Sequence, residues 1–206
     1  MSVLIKGGRV ITAADDYVGD IYVEDGKVSL IGASLDVGAD KVIDAAGKYV
    51  IPGAIDPHTH MEMPFGGTVS CDDFTSGTTS AAFGGTTAIV DFCLQQPGQS
   101  LPDALATWHE KIERAKPLVD VGFHLAVTDL SDGGTLDDLA KAPDEGVTSY
   151  KLFMAYKGAI MVDDETLFKT MRVASETGAL VMVHAENGDA IDVLVKEALA
   201  EGKTEP

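Results

Sequence analysis

From residue 54 onward, short apolar stretches alternate with helix-prone stretches, and this alternation constrains the fold more than any other feature. The apolar stretches end near residues 60, 92, 127, 154 and 184. Helix-start and helix-stop signals predict helices over residues 72–84, 100–115, 163–178 and 189–199, with Asp72 as the first cap. Residues 135–138 are predicted to open a further, short helix. Apolar strands separated by helices indicate a parallel sheet covered by helices. The alternation alone leaves open whether the sheet is open or curls into a barrel.

Residues 1–52 follow a different pattern, that of short strands separated by turns. Strands are predicted over residues 3–5 and 9–12, on either side of Gly7-Gly8. Asp25-Gly26 predicts a tight hairpin, because both turn positions favour positive φ. Residues 41–44 and 48–51 are predicted to pair with each other. We therefore expect a small antiparallel β domain over residues 1–52, followed by a second domain over residues 53–206.

Composition excludes several classes of partner. The chain has 33 acidic and 15 basic residues, a net charge of −18, which argues against nucleic acid and against anionic membrane surfaces. Its only cysteines, Cys71 and Cys93, lack the spacing of a zinc finger and are expected to be reduced thiols. Neither a signal peptide nor a membrane span is evident. We expect a cytoplasmic protein.

The residues that could bind a metal or take part in a reaction lie at or near the ends of the predicted strands. His58 and His60 are two residues apart at the end of the first apolar strand, so both imidazoles are expected on one face and could form half of a metal site. His184 ends the fifth strand, and Lys151 lies in the fourth. A (β/α)₈ barrel builds its active site at such carboxyl ends, which favours a barrel. A complete barrel needs eight strands, so we interpret the chain as the front part of a longer protein.

Lys151 and Tyr156 each have alternative interpretations. A lysine in an apolar strand must extend its ammonium to the surface, pair it, or lose its charge. A neutral Lys151 amine could instead react with carbon dioxide, giving a carbamate whose two oxygens bridge two metal ions. Tyr156 follows the fourth strand and is either a packing aromatic or a phenol at the mouth of the site. His109 is expected to be exposed on a helix, and His124 to be structural.

Three stretches resemble dihydropyrimidinases and D-hydantoinases, the cyclic amidases of the amidohydrolase superfamily. They begin at Asp56 (DPHTHMEMPFGGT), Lys151 (KLFMAYKG) and Val183 (VHAENG), and the resemblance extends over the whole chain. It implies a (β/α)₈ barrel of the amidohydrolase type, of which about the first five β/α units are present, preceded by a small β-sandwich-like unit. It also implies a homotetramer when the protein is full length.

The resemblance assigns roles to individual residues. His58, His60, Lys151 and His184 would hold two divalent metal ions, usually Zn²⁺, bridged by carboxylated Lys151. Tyr156 would polarise the substrate carbonyl. The substituent of a small cyclic ureide or imide would be bound by Met63, Phe65, Phe153 and Tyr156. The reaction implied is hydrolysis of a dihydropyrimidine or a 5-substituted hydantoin to an N-carbamoyl amino acid.

Other functions are weaker fits to the sequence. Dihydroorotases and many allantoinases carry an arginine soon after the two histidines, where this chain has Met61-Glu62-Met63. The collapsin response mediator proteins are non-catalytic scaffolds of the same fold that have lost metal ligands, whereas the four ligand candidates are present here. An assembly subunit without activity is a further alternative. The family's remaining histidine and aspartate ligands would follow Pro206, so we expect the 206-residue chain to be inactive by itself.

Overall fold

The structure is a computed structural model that describes residues 1–131 and 135–205. It contains two compact units, Met1–Gly53 and Ala54–Pro206. No helix within the described ranges is long and apolar enough to cross a bilayer.

The first unit is a five-stranded sheet. Its strands are β1 (Ser2–Ile11), β2 (Asp16–Glu24), β3 (Lys27–Gly32), β4 (Lys41–Asp44) and β5 (Tyr49–Val50). The predicted turn between β2 and β3 is confirmed, since Asp25 and Gly26 both have positive φ. The glycines at residues 7 and 8 do not separate two strands as predicted. They lie at a bulge within β1, where Gly7 has φ +66°.

The predicted antiparallel arrangement of this unit is wrong in one part. The segments β4 and β5 do not pair with each other, because each pairs with β1 in parallel orientation. Only the β3–β2–β1 portion is antiparallel, so the sheet is mixed. Two nearby strands joined by a turn suggested a hairpin, but parallel pairing with a strand almost forty residues earlier leaves no local signal.

The second unit contains the predicted parallel sheet. Its five strands are β6 (Ala54–Thr59), β9 (Thr86–Leu94), β10 (Asp120–Ala126), β11 (Ser149–Phe153) and β12 (Leu180–His184), in the order β12-β11-β10-β9-β6. Every neighbouring pair is parallel. A two-stranded hairpin, β7 (Pro64–Phe65) and β8 (Thr68–Val69), follows β6 and was not predicted.

The helices follow the strands as expected for β/α units. They are α1 (Phe74–Gly84), α2 (Leu101–Ala115), α3 (Thr135–Lys141), α4 (Asp164–Thr177) and α5 (Gly188–Ala200), with a short 3₁₀ turn at Ala142–Glu145. Ser100 and Asp163, at the predicted starts of two helices, cap α2 and α4. The cap of α1 is Asp73 and not Asp72, because Asp73 accepts from the Ser76 amide while Asp72 accepts from the Ser76 hydroxyl.

The core of the second unit lies between the sheet and its helices. Its fully buried side chains include Phe74, Ile89, Leu125, Tyr150 and Leu152. The outermost strands are less well covered, with Ile55 on β6 66% exposed and Leu180 on β12 63% exposed. Because all five strands are parallel, their carboxyl ends lie along one edge, where the candidate ligands were predicted.

Candidate metal centre

One cavity of ≈ 250 Å³ lies at the carboxyl ends of the strands. It is lined by all of the side chains to which the sequence assigned a role: His58, His60, Met63, Phe65, Lys151, Phe153, Tyr156 and His184. The remaining lining residues are apolar: Phe92, Leu94, Ala126 and Ile160. The strands β6 and β12 are the outermost of the sheet, so a cavity lined by both requires the sheet to curve, as it does in a barrel.

The two histidines of β6 lie side by side. The ring centroids of His58 and His60 are 5.1 Å apart, and both rings contact Phe92, at 4.6 and 5.0 Å. Thr59 between them is buried on the opposite side. The alternation expected of a strand therefore presents both imidazoles to the cavity.

His60 has the properties of an unused metal ligand. Its Nδ1 atom is buried and has no hydrogen-bond partner within the described residues. Burial lowers the pKa of this imidazole, and His58 and Lys151 lower it further, so the neutral form that binds metals is favoured. A buried polar atom without a partner is rare in proteins, and a metal ion would satisfy it.

Lys151 lies deep in the same cavity and is 7% exposed. Its Nζ atom is 5.2 Å from the ring centroid of Phe153 and 5.8 Å from that of Phe92. Burial lowers the pKa of its amine, and no counter-charge offsets this effect among the residues described. This environment promotes the neutral amine, which is the form that reacts with carbon dioxide.

His184 ends β12 on the other side of the cavity. Its Nε2 atom is 2.6 Å from a carboxylate oxygen of Glu186, which leaves its other ring nitrogen free of that contact. Histidine ligands commonly donate their second N–H to a carboxylate in this way. Across the described residues, no three His, Cys, Asp or Glu side chains converge closely enough to hold an ion by themselves. A metal centre here would therefore depend on the lysine as well as the histidines.

Tyr156 and two phenylalanines form the aromatic wall of the cavity. The Tyr156 ring is 5.3 Å from Phe65, 6.0 Å from Phe153 and 5.4 Å from His184, measured between centroids. Tyr156 has φ +66°, an uncommon conformation for a residue with a side chain. The phenol is partly exposed, so its hydroxyl is accessible from the cavity side.

The other two histidines lie outside this set. His124 is buried, with Nε2 2.8 Å from the Pro57 carbonyl and Nδ1 in contact with the Ser149 hydroxyl. Both ring nitrogens are used, as the assignment to structure predicted. His109 is exposed on α2, also as predicted.

Two residues next to the cavity were missed by the sequence analysis. Phe92 contacts both histidines of β6 and forms the floor of the cavity. Asp91 is fully buried beside it and accepts hydrogen bonds from the Thr59 hydroxyl, the Met61 amide and the Trp108 indole. A single carboxylate inside an apolar strand was the available signal, because a buried charge needs partners.

The fold and the cavity define a class of protein. Residues 49–206 match the amidohydrolase family, and the chain therefore belongs to that family. The chain is 54% identical over 207 residues to a D-hydantoinase of Geobacillus stearothermophilus and 45% identical over 208 residues to a dihydropyrimidinase of Rattus norvegicus. These matches cover 100% and 98% of this chain, but 44% and 40% of the relatives.

The solved structures agree. The crystal structure of dihydropyrimidinase from Brevibacillus agri NCHU1002 is similar with a TM-score of 0.95 and 55% identity, over 100% of this chain and 44% of that one. The resemblance to dihydropyrimidinases and D-hydantoinases is thus confirmed, as is the amidohydrolase fold. The chain spans less than half the length of these relatives.

Proposed function

We propose that the complete protein, meaning the natural chain that contains these 206 residues, hydrolyses the amide bond of a cyclic ureide or imide. The observation that carries this proposal is the convergence of His58, His60, Lys151 and His184 on one cavity, with Tyr156 at its wall. The relatives named D-hydantoinase and dihydropyrimidinase support the substrate class. The products would be N-carbamoyl amino acids.

The chain's own residues divide the task between binding metal and orienting substrate. His58 and His60 would hold one divalent ion, His184 would hold a second, and carboxylated Lys151 would lie between them; we propose zinc as the metal. When bound, such a pair of metal ions supplies a water molecule that is deprotonated near neutral pH. The buried, unpartnered nitrogen of His60 and the depressed pKa of Lys151 both support this assignment.

The cavity wall suits an uncharged ring with an apolar substituent. Phe65, Phe153 and Met63 face the cavity, and none of the described residues that line it is an arginine. A substrate carboxylate, such as that of dihydroorotate, would find no arginine to pair with among the described lining residues. We therefore place hydantoins and dihydropyrimidines ahead of dihydroorotate and allantoin.

The proposal is tested by substrate and chelator. We expect the complete protein to hydrolyse dihydrouracil or hydantoin, to act at least about 100-fold more slowly on dihydroorotate, and to lose activity with its metal when a chelator is added. Metal analysis should find about two ions per complete chain. A metal-free protein that hydrolyses none of these rings would instead support the scaffold alternative.

The 206-residue chain tested alone should be inactive. Its outermost strands leave apolar side chains exposed, and the cavity is lined from one half of a barrel only. Turnover by this chain, assayed side by side with the complete protein, would contradict the expectation. Homotetrameric assembly and cytoplasmic location remain part of the proposal, and gel filtration of the complete protein tests the former.

Replacing Tyr156 with phenylalanine should lower kcat by about 100-fold, because a positioned donor to the developing oxyanion is lost. KM should change little, since the ring that contacts Phe65 and Phe153 is retained. Steady-state kinetics of the complete protein measure both constants. Tyr49→Phe, at an exposed tyrosine of the first unit, is the matched control. An unchanged kcat would reduce Tyr156 to a packing residue.

A further inference from the structure

The segment from Met61 to Asp72 joins the histidine strand to α1 and contributes Met63 and Phe65 to the cavity. Its two ends are fastened to each other, because the Glu62 amide donates to the Asp72 carbonyl at 2.9 Å. Within it, the Met63 amide donates to the Ser70 hydroxyl at 2.9 Å. These two hydrogen bonds join the start of the segment to its end.

Those first residues are held by the layer beneath them. Asp91 on β9 accepts from the Met61 amide at 2.7 Å and from the Thr59 hydroxyl at 3.0 Å. This buried carboxylate thus binds the chain on both sides of His60. The two contacts lie at the end of β6 and at the start of the segment from Met61 to Asp72.

The helix α2 holds the next residue. The Lys111 ammonium donates to the Glu62 carbonyl at 3.0 Å, and the Arg114 guanidinium pairs with the Glu62 carboxylate at 2.5 Å. Glu62 has φ +48°, in the left-handed region that favours glycine. Side chains of α2 thus contact both the backbone and the carboxylate of Glu62, a residue in an unfavourable conformation. Such strained conformations persist where the surrounding contacts hold them, and they are common at functional sites.

Trp108 connects the two sets of contacts. Its indole N–H donates to Asp91 at 3.2 Å, and the Lys111 ammonium lies 3.6 Å above its ring. Trp108 and Lys111 are three residues apart on α2 and so share one face. The Met61 side chain packs against Gly77 of α1. A Cβ atom built on Gly77 would lie 2.3 Å from the Met61 sulfur, so only glycine permits this close approach.

We propose that Asp91, Trp108 and Lys111 are positioning residues that hold Met61 and Glu62 so that Met63 and Phe65 select the ring substituent. None of the three lines the cavity. Their effect on substrate choice would pass through the backbone of the turn. This inference rests on the proposed function for its kinetic test, but its structural test does not need activity.

The structural test is amide hydrogen exchange of the complete protein with Lys111 replaced by methionine. The methionine keeps contact with the Trp108 ring but cannot donate to the Glu62 carbonyl. We expect exchange at the Met61 and Glu62 amides to accelerate by about 10-fold, because the turn opens more often. Lys169→Met, at a surface lysine of α4 paired with Glu165, is the matched control and should leave both amides unchanged.

The kinetic test compares two substrates of the same variant. For a hydantoin with a 5-phenyl substituent, Lys111→Met should raise KM by about 10-fold, since misplaced apolar contacts act on the substituent. For unsubstituted hydantoin, KM and kcat should change less than about 2-fold. A loss of stability alone would affect both substrates equally.

A second variant guards against misfolding of the first. Arg114→Met removes only the exposed contact to the Glu62 carboxylate and should act in the same direction, by about 3-fold on exchange and on the KM for the phenyl substrate. Exchange at Met61 and Glu62 that matches the Lys169→Met control in both variants would overturn the proposal. If the wild-type protein hydrolyses neither the hydantoins nor dihydrouracil, the proposed function fails, and the exchange measurement still decides whether the turn is held.

Discussion

Replacing Lys151 with methionine is expected to lower kcat/KM of the complete protein by at least about 1,000-fold, since several kcal/mol of transition-state stabilisation depend on the metal pair. The methionine fills a similar volume, so the buried strand β11 should keep its packing. It cannot form a carbamate, however, and the imidazoles alone do not converge as a set of three within the described residues. Metal content should therefore fall together with activity, and elemental analysis of the same preparation checks this.

The matched control for this prediction is Lys157→Met. Lys157 lies six residues further along, is exposed, and pairs with Asp189 and Asp192 on α5. It shares the residue type and the neighbourhood of Lys151 but does not line the cavity. We expect full activity and full metal content in this variant. If Lys151→Met retained both as well, the carbamate would not be part of the site.

Much of the second unit could be predicted because its signals are local. Ser100 and Asp163 precede amphipathic helices and cap them, and Gly178 ends α4 with φ +77°. Each of these effects involves atoms within four residues of one another. The parallel sheet followed from the alternation of strands and helices, and it brought the ends of distant strands to one edge.

The wrong predictions concern strands whose pairing partner is distant in sequence and a helix cap for which two adjacent residues are equally suitable. Nothing in β4 or β5 indicates that both pair in parallel with β1. Asp72 and Asp73 are chemically equal candidates for a cap, and only the path of the chain decides between them. The hairpin after His60 did carry a signal, because Gly66-Gly67 is a two-residue turn with positive φ at both positions.

The sequence predicted the polar residues that line the cavity but not the residues packed beneath them. The histidines and Lys151 are conspicuous as polar residues at the ends of apolar strands, and the cavity brings them together. The residues beneath them are ordinary in sequence: Phe92 is an aromatic in a strand, and Lys111 is one of several charged residues on a helix. Their importance comes from contacts across the fold, which spacing along the chain does not encode.

Asp91 should make the native state less stable as pH rises. Burial raises the pKa of this carboxyl from 3.8 to about 6, against the three hydrogen bonds that favour its charged form. Between pH 4 and pH 6 the unfolded chain ionises this group while the folded chain keeps its proton. The folded state therefore loses about 2 kcal/mol between pH 4 and pH 6, and the loss levels off above about pH 7.

Urea unfolding of the complete protein and of Asp91→Asn, with chelator present throughout, measures this effect. The asparagine cannot titrate, and it mispairs with one of its three donors at every pH, which adds a constant offset. The stability of the wild type relative to Asp91→Asn should fall by about 2 kcal/mol between pH 4 and pH 7.5. Groups common to both proteins cancel in this difference.

Asp20 provides a control of opposite sign. It is also buried, but amides of Leu35 and Gly7 donate to it and lower its pKa. Its contribution to stability is present above the unfolded pKa and is lost as pH falls through the lower folded pKa. The stability of the wild type relative to Asp20→Asn should therefore rise with pH below about pH 4, whereas the difference for Asp91→Asn falls above about pH 4. If the stability difference for Asp91→Asn instead rose with pH, as that for Asp20→Asn does, the hydrogen-bond donors around Asp91 would outweigh its burial. The Asp91 carboxylate would then be charged in the folded protein over the whole pH range measured.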